Sequence, residues 1–171
     1  QTEGSVRIQR RLPQMDYVCQ CRNRLWGCRW GEGVNELYCC ALGDFKNWEQ
    51  YLGLSTDSWR ASVGAAGEWT GAVNFLDSPC FFKADCICRI SPAPDGGHSV
   101  SQLRCQGIEK GSHRSAVVIN GALIYKSPAA VCIWRGGYPE ETGEALGQSR
   151  YKNAAAACLG NLCYMAMEDE E

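Results

Sequence analysis

The residues with the most chemical potential in this chain are its 12 cysteines: Cys19, Cys21, Cys28, Cys39, Cys40, Cys80, Cys86, Cys88, Cys105, Cys132, Cys158 and Cys163. A thiol can be a nucleophile, a metal ligand or half of a disulfide, and spacing separates these roles. Structural zinc sites repeat Cys-x2-4-Cys or Cys/His pairs. Here the close pairs are Cys19/Cys21, Cys39/Cys40, Cys86/Cys88 and Cys158/Cys163. None is a Cys-x-x-Cys, so the expectation is no metal site, no thioredoxin-like redox motif and no cofactor. An even count at this density suits full pairing in an oxidising compartment, so all twelve are expected in disulfides. Cys19/Cys21 and Cys86/Cys88 would each share one face of a strand and staple it to its neighbours. Cys158 and Cys163 flank Gly160 and could close the end of a helix.

Other catalytic constellations are thin. The two histidines, His98 and His113, form no zinc-type pair and lie outside any Gly-x-Ser-x-Gly elbow. Glu109, Lys110, His113 and Arg114 are neighbours and hold the ingredients of a small secreted nuclease. Glu32/Glu36 and Glu140/Glu141/Glu144 offer carboxylates for glycoside hydrolysis, but on loops where acids are ordinarily solvated. No glycine loop followed by a basic residue is present to cradle a phosphate. The six tryptophans suggest either core filling or a binding platform. Trp59-Arg60 and Trp134-Arg135 are the candidate interaction surface, because Trp beside Arg is enriched in binding hot spots.

Composition bounds the setting. The chain has 171 residues, 17 basic and 19 acidic, and is 45 % hydrophobic, so it is neither disordered by composition nor basic enough overall for nucleic acid. Residues 1–30 hold Arg7, Arg10, Arg11, Arg22, Arg24 and Arg29 against Glu3 and Asp16, a basic face or docking patch. The end is an acidic run, Glu168-Asp169-Glu170-Glu171. No apolar run approaches the roughly 18 residues of a membrane span. The start at Gln1 suggests a mature secreted chain, and no Asn-x-Ser/Thr sequon occurs.

The elements that would position these residues alternate in type. Strands are expected at Ser5–Leu12, Tyr17–Arg22, Cys80–Ile90, Val100–Ile108 and Val131–Trp134, with a loop or short hairpin over 23–36. Phe45, Trp48 and Leu52 form a helical stripe after Asp44, Asp57–Ala66 follows as a second helix, and Gln148–Cys158 with its alanines is a third. Residues 91–99 are turn formers. Asn120-Gly121 between Ala116–Ile119 and Ala122–Tyr125 is the strongest local signal, a hairpin with a type I′ turn. The predicted class is α+β: a mainly antiparallel sheet with crossing helices, stapled by disulfides, in one domain spanning 1–171.

That profile, with the Trp-Arg pairs at Trp59-Arg60-Ala61-Ser62 and Trp134-Arg135-Gly136-Gly137, resembles the LARS (Leptosphaeria avirulence-suppressing) effectors of plant-pathogenic fungi. The resemblance implies a secreted protein of the apoplast. It implies non-enzymatic action on a host plant protein or receptor, by recognition or by masking of immune recognition. A secreted glycan-binding module or toxin, or a small secreted nuclease, is the alternative.

Overall fold

The computed structural model describes residues 12–94, 97–142 and 149–169. Among these it contains fourteen strands and one short 3-10 turn, His113–Ser115. The first sheet runs β1 (Tyr17–Cys21), β2 (Arg24–Gly31), β3 (Val34–Cys39), β4 (Trp59–Ser62) in that spatial order. The second is β5 (Gly71–Phe75), β6 (Ser78–Lys83), β7 (Cys86–Pro92), β8 (His98–Arg104). The third is β9 (Val117–Ile119), β10 (Ala122–Lys126), β11 (Val131–Trp134), β12 (Glu140–Glu141), and a separate hairpin pairs β13 (Tyr151–Leu159) with β14 (Leu162–Asp169). Every pairing is antiparallel.

Tight turns drive this meander. Asn120 and Gly121 both sit at positive φ, which is the expected I′ turn. The same backbone recurs where the residues advertise it less: Arg22-Asn23 joins β1 to β2, Glu32-Gly33 joins β2 to β3, and Leu76-Asp77 joins β5 to β6. Two-residue turns of this type match the right-handed twist of the strands they connect, so each fixes its register.

The second sheet is the middle layer. Phe81, Cys86, Cys88 and Ile90 face Cys21, Trp26, Cys28 and Leu37 of the first sheet. Phe75, Cys80, Phe82 and Ile87 face Leu123, Tyr125, Cys132 and Trp134 of the third. Phe81 and Phe82 therefore point into different cores, as the strand period of two requires. Burial on both faces explains why Cys80–Ile90 is rich in aromatic and β-branched residues and reads as one strand. It is two strands, β6 and β7, folded at Ala84-Asp85. Lys83 is the polar exception at the end of β6. Its ammonium donates to Asn35 Oδ1 (3.1 Å) and Gly67 O and lies over the rings of Trp69 (4.3 Å) and Trp30 (4.6 Å). Desolvation pulls its pKa down, and the aromatic faces help replace the lost water.

Three features of the predicted class are corrected. First, among the described residues the fold is antiparallel β without crossing helices. The segment 45–52 is an irregular loop with Phe45 and Leu52 in solvent. Segment 57–66 contains β4, paired in register with β3. The alanine run of 154–157 lies in β13, because the turn at Gly160-Asn161 brings Leu162–Met167 beside it and cross-strand pairing overrides alanine's helix preference. Second, the fold is not stapled by disulfides: no two sulfurs stand at the roughly 2.05 Å of a bond, and even Cys86 and Cys88 are 3.9 Å apart.

The thiols are instead distributed through the packing as small apolar side chains. Cys21, Cys28, Cys39, Cys86 and Cys88 belong to the first core, with Cys19 against it. Cys80 and Cys132 belong to the second, with Cys105 against it. Cys40 is buried just after β3. Burial pushes the thiols of Cys39, Cys80 and Cys105 up to about 12. Cys158 and Cys163 sit apart on the last hairpin. The shared-face expectation for Cys19/Cys21 and Cys86/Cys88 does hold along β1 and β7. Third, the turn formers of 91–99 are partly strand: β7 extends to Pro92 and β8 begins at His98. The expected strand Ser5–Leu12 apart from Leu12, three of the six arginines of the basic segment (Arg7, Arg10 and Arg11), Gln148, Glu144 and the last two acids lie outside the described residues.

Candidate functional site

β3 and β4 are adjacent antiparallel strands, with Cys39 opposite Trp59 and Tyr38 opposite Arg60. Two residues would suffice to join them. The chain spends residues 40–58 instead, and a structureless connection this long in a compact domain is characteristically functional.

The connection is ordered from inside. Arg24, buried at the start of β2, donates through Nη1 to Cys40 O and Asp57 O (2.6 Å each) and through Nη2 to Ser55 O (2.6 Å). One guanidinium therefore ties the beginning of the loop to its end. Its fork presents several donors in a fixed plane, which suits a cluster of carbonyls. A second hub is Asp57, whose carboxylate accepts from the N–H groups of Leu52 and Leu54 and from the Gln50 amide. Ser58 Oγ donates to Asn47 O and accepts from Gln50 N. Backbone bonds from Ala41 to Asn47 O and from Leu42 to Thr56 O close the base. Trp48 is the buried anchor, its indole N–H donating to Phe45 O.

What this bracing holds outward is apolar. Leu42, Phe45, Tyr51, Leu52 and Leu54 are all exposed, Leu52 at 73 % and Phe45 at 57 %. Apolar side chains that could collapse inward but are fixed in solvent form the kind of patch that marks an interaction site. Clefts flank it. One of about 470 Å³ is lined by Asn23, Leu25, Leu42 and Phe45, and another of about 260 Å³ by Tyr38, Trp48, Tyr51 and Arg60.

Burial pushes the Asp57 carboxyl up, but its hydrogen bonds from Leu54, Gln50 and Leu52 outweigh that and hold its pKa below the ordinary value. A folded-state pKa below the unfolded one adds stability that is complete above the unfolded pKa, near 3.9, and is lost as the pH falls through the folded value. The amide resonances of Leu52 and Leu54 are therefore expected to titrate together below about pH 3.9. Asp57→Asn should remove that transition. An NMR pH titration in which the two amides do not move together would contradict the latch.

The sequence-predicted interaction residues separate. Arg60 is exposed on the rim of the smaller cleft. Trp59 is half-buried, packed on Trp26 (6.1 Å) and edge-on to His98 (5.6 Å). Trp134 is only 2 % exposed, stacked on Phe75 in the second core with its N–H donating to Gly137 O. It is withdrawn from any surface role, because its strand faces the middle layer. Arg135 is exposed and pairs with Glu140 at 3.0 Å. The two Trp-Arg pairs lie in different outer sheets, with the second sheet between them.

The residues offered for hydrolysis are committed elsewhere. Glu109 lies 3.5 Å from the buried Lys126 ammonium and accepts from Ser112 Oγ. Lys110 pairs with Glu68, and His113 packs on the Tyr17 ring. Glu32 pairs with Arg29, and Glu36 accepts from the Tyr38 hydroxyl. Sequence reasoning missed the loop because Phe45, Trp48 and Leu52 fit a helical period. The available signal was the Gly43, Gly53 and Ser-Thr-Asp punctuation around them, which argues against a helix.

Protein-family models and curated proteins were both compared with the chain, and none matches it. No helix among the described residues is long and apolar enough to cross a membrane.

Proposed function

We propose that this chain is a non-enzymatic recognition protein that binds a host protein through the 40–58 loop. The observation that carries the reading is the exposed set Phe45, Tyr51, Leu52 and Leu54 on a backbone latched by Arg24 and Asp57. A preorganised apolar patch loses little ordering entropy on binding, which is how a small contact reaches useful affinity. The resemblance to avirulence effectors supplies the class: a secreted protein acting in the plant apoplast by contact with, or concealment from, an immune receptor.

The test is infiltration of the purified chain into leaf tissue with the immune oxidative burst as readout. Leu52→Glu/Leu54→Glu places two charges on the patch while keeping the backbone N–H groups that bond Asp57, and circular dichroism checks the fold. The expected result is a response, triggered or suppressed, that the double variant loses. An unchanged response in the folded variant would sink the reading. So would an RNA- or oligosaccharide-cleaving activity that His113→Ala abolishes.

A further inference from the structure

The β13–β14 hairpin is joined by Gly160-Asn161, with Gly160 at positive φ. Leu159 and Leu162 flank this two-residue turn and form its hydrogen-bonded pair. The next pair, Cys158 opposite Cys163, is therefore a non-hydrogen-bonded pair, the position where facing side chains approach most closely.

The period of two then collects the remaining sulfur on the same face. Met165 follows Cys163 by two residues and stands opposite Ala156, and Met167 follows by two more. Met165 is diagonal to Cys158, within reach of a long unbranched side chain. Its small partner Ala156 leaves it room to swing toward the thiols. The opposite face carries Leu159, Leu162, Tyr164 and Ala157 and no sulfur. Cys158 is exposed and Cys163 and Met165 are half-exposed, whereas the cysteines at the centre of the two cores are buried. The base of the hairpin is pinned. Ala154 N–H donates to Ser112 Oγ, and the Asn153 amide donates to Glu168.

We propose that Cys158, Cys163 and the Met165 thioether form a binding site for a soft monovalent metal cation, copper(I). Thiolate with thioether is the donor combination that selects copper(I) among biological metals. Zinc would call for four nitrogen or thiolate donors, and this face supplies two thiolates. Binding releases the two thiol protons, forms two metal–thiolate bonds and leaves the copper oxidation state unchanged. The site is independent of the recognition loop and requires nothing of its partner.

Anaerobic titration of the fully reduced 171-residue chain with copper(I) against a colorimetric chelator tests this. One equivalent is expected to bind, with only sulfur neighbours in its X-ray absorption spectrum. Cys158→Ser/Cys163→Ser should abolish that equivalent although the other ten cysteines remain. Met165→Leu, which conserves volume and leaves both thiols, should weaken it at least tenfold, the scale on which support of a metal site is felt. No uptake by the reduced wild type would overturn the proposal. So would equal affinity in the cysteine variant or, should that variant misfold, equal affinity in the methionine variant.

Discussion

Replacing Arg24 with alanine is expected to destabilise the protein by about 3 kcal/mol, the scale of losing charge-assisted hydrogen bonds from a buried site. The deletion strips donors from Cys40 O, Asp57 O and Ser55 O at once, and these carbonyls belong to the two ends of the same loop. The loss should be felt first there. Amide exchange in 40–58 should rise before global unfolding, and the denaturant midpoint should fall. Arg24→Lys should recover only part of the loss, because a point ammonium cannot span three carbonyls in a plane. A loss within about 0.5 kcal/mol, the range of ordinary surface substitutions, would show that the guanidinium is not the latch. The same variant links stability to the proposed function. A loop that opens lets its apolar side chains collapse, so binding should weaken even where the global fold survives.

Gly107→Ala is expected to be at least as damaging, at about 3 kcal/mol or more, the upper range for forced overpacking. Gly107 has no unusual φ; its constraint is space. A Cβ there would lie 1.9 Å from Lys83 O and 3.0 Å from Cys86 O, both backbone atoms at the β6–β7 turn that cannot rotate away. This close crossing carries the chain from the second sheet toward the third and seats Ile108 in the second core. Gly27→Ala is the matched control. Its Cβ would meet Met15 Sδ at 2.0 Å, a nominally similar clash, but with the far end of a flexible side chain. It should cost under about 1 kcal/mol, since methionine readily repacks. Urea midpoints of the two variants measured side by side decide the point, and the reverse order would refute the packing argument.

These two glycines show where legibility in the sequence stops. Neither Trp26-Gly27-Cys28 nor Gln106-Gly107-Ile108 tells what a Cβ would meet, and only the three-dimensional crossing of strands separates the two. The hairpin at Asn120-Gly121 was readable because its turn chemistry is local. Arg22-Asn23 and Leu76-Asp77 adopt the same positive-φ backbone with poorer turn residues, stabilised by the strands they join. The candidate site divided in the same way. Arg60 is exposed on β4, whereas Trp134 went to the core, since successive side chains of a strand alternate and the inward face of β11 falls on Cys132 and Trp134. Arg135 lies just beyond the strand, in solvent.

The helix expectations failed for a related reason. A stripe at i, i+3, i+7 predicts a helix only if a core waits for its apolar face, and of Phe45, Trp48 and Leu52 only Trp48 is buried, while polar bonds to Asp57 and Ser58 hold the backbone around them. Alanine at 154–157 has high helix propensity, but propensity is worth tenths of a kcal/mol per residue and is overridden by pairing with β14.

By itself, then, the sequence determined the local conformations: the I′ turn, the strand at Val131–Trp134, the shared faces of Cys19/Cys21 and Cys86/Cys88, and the lack of any repeated ligand spacing. These depend on a few neighbouring residues. Only the tertiary structure decided that the cysteines are core thiols without bonds between them, that β6 and β7 are buried on both faces, and that 40–58 is a latched apolar loop. It also decided that sulfur lines one face of the final hairpin. Each of those outcomes depends on which strand lies against which, and that choice is made by the burial of whole sheets, an energy no short window of the chain contains.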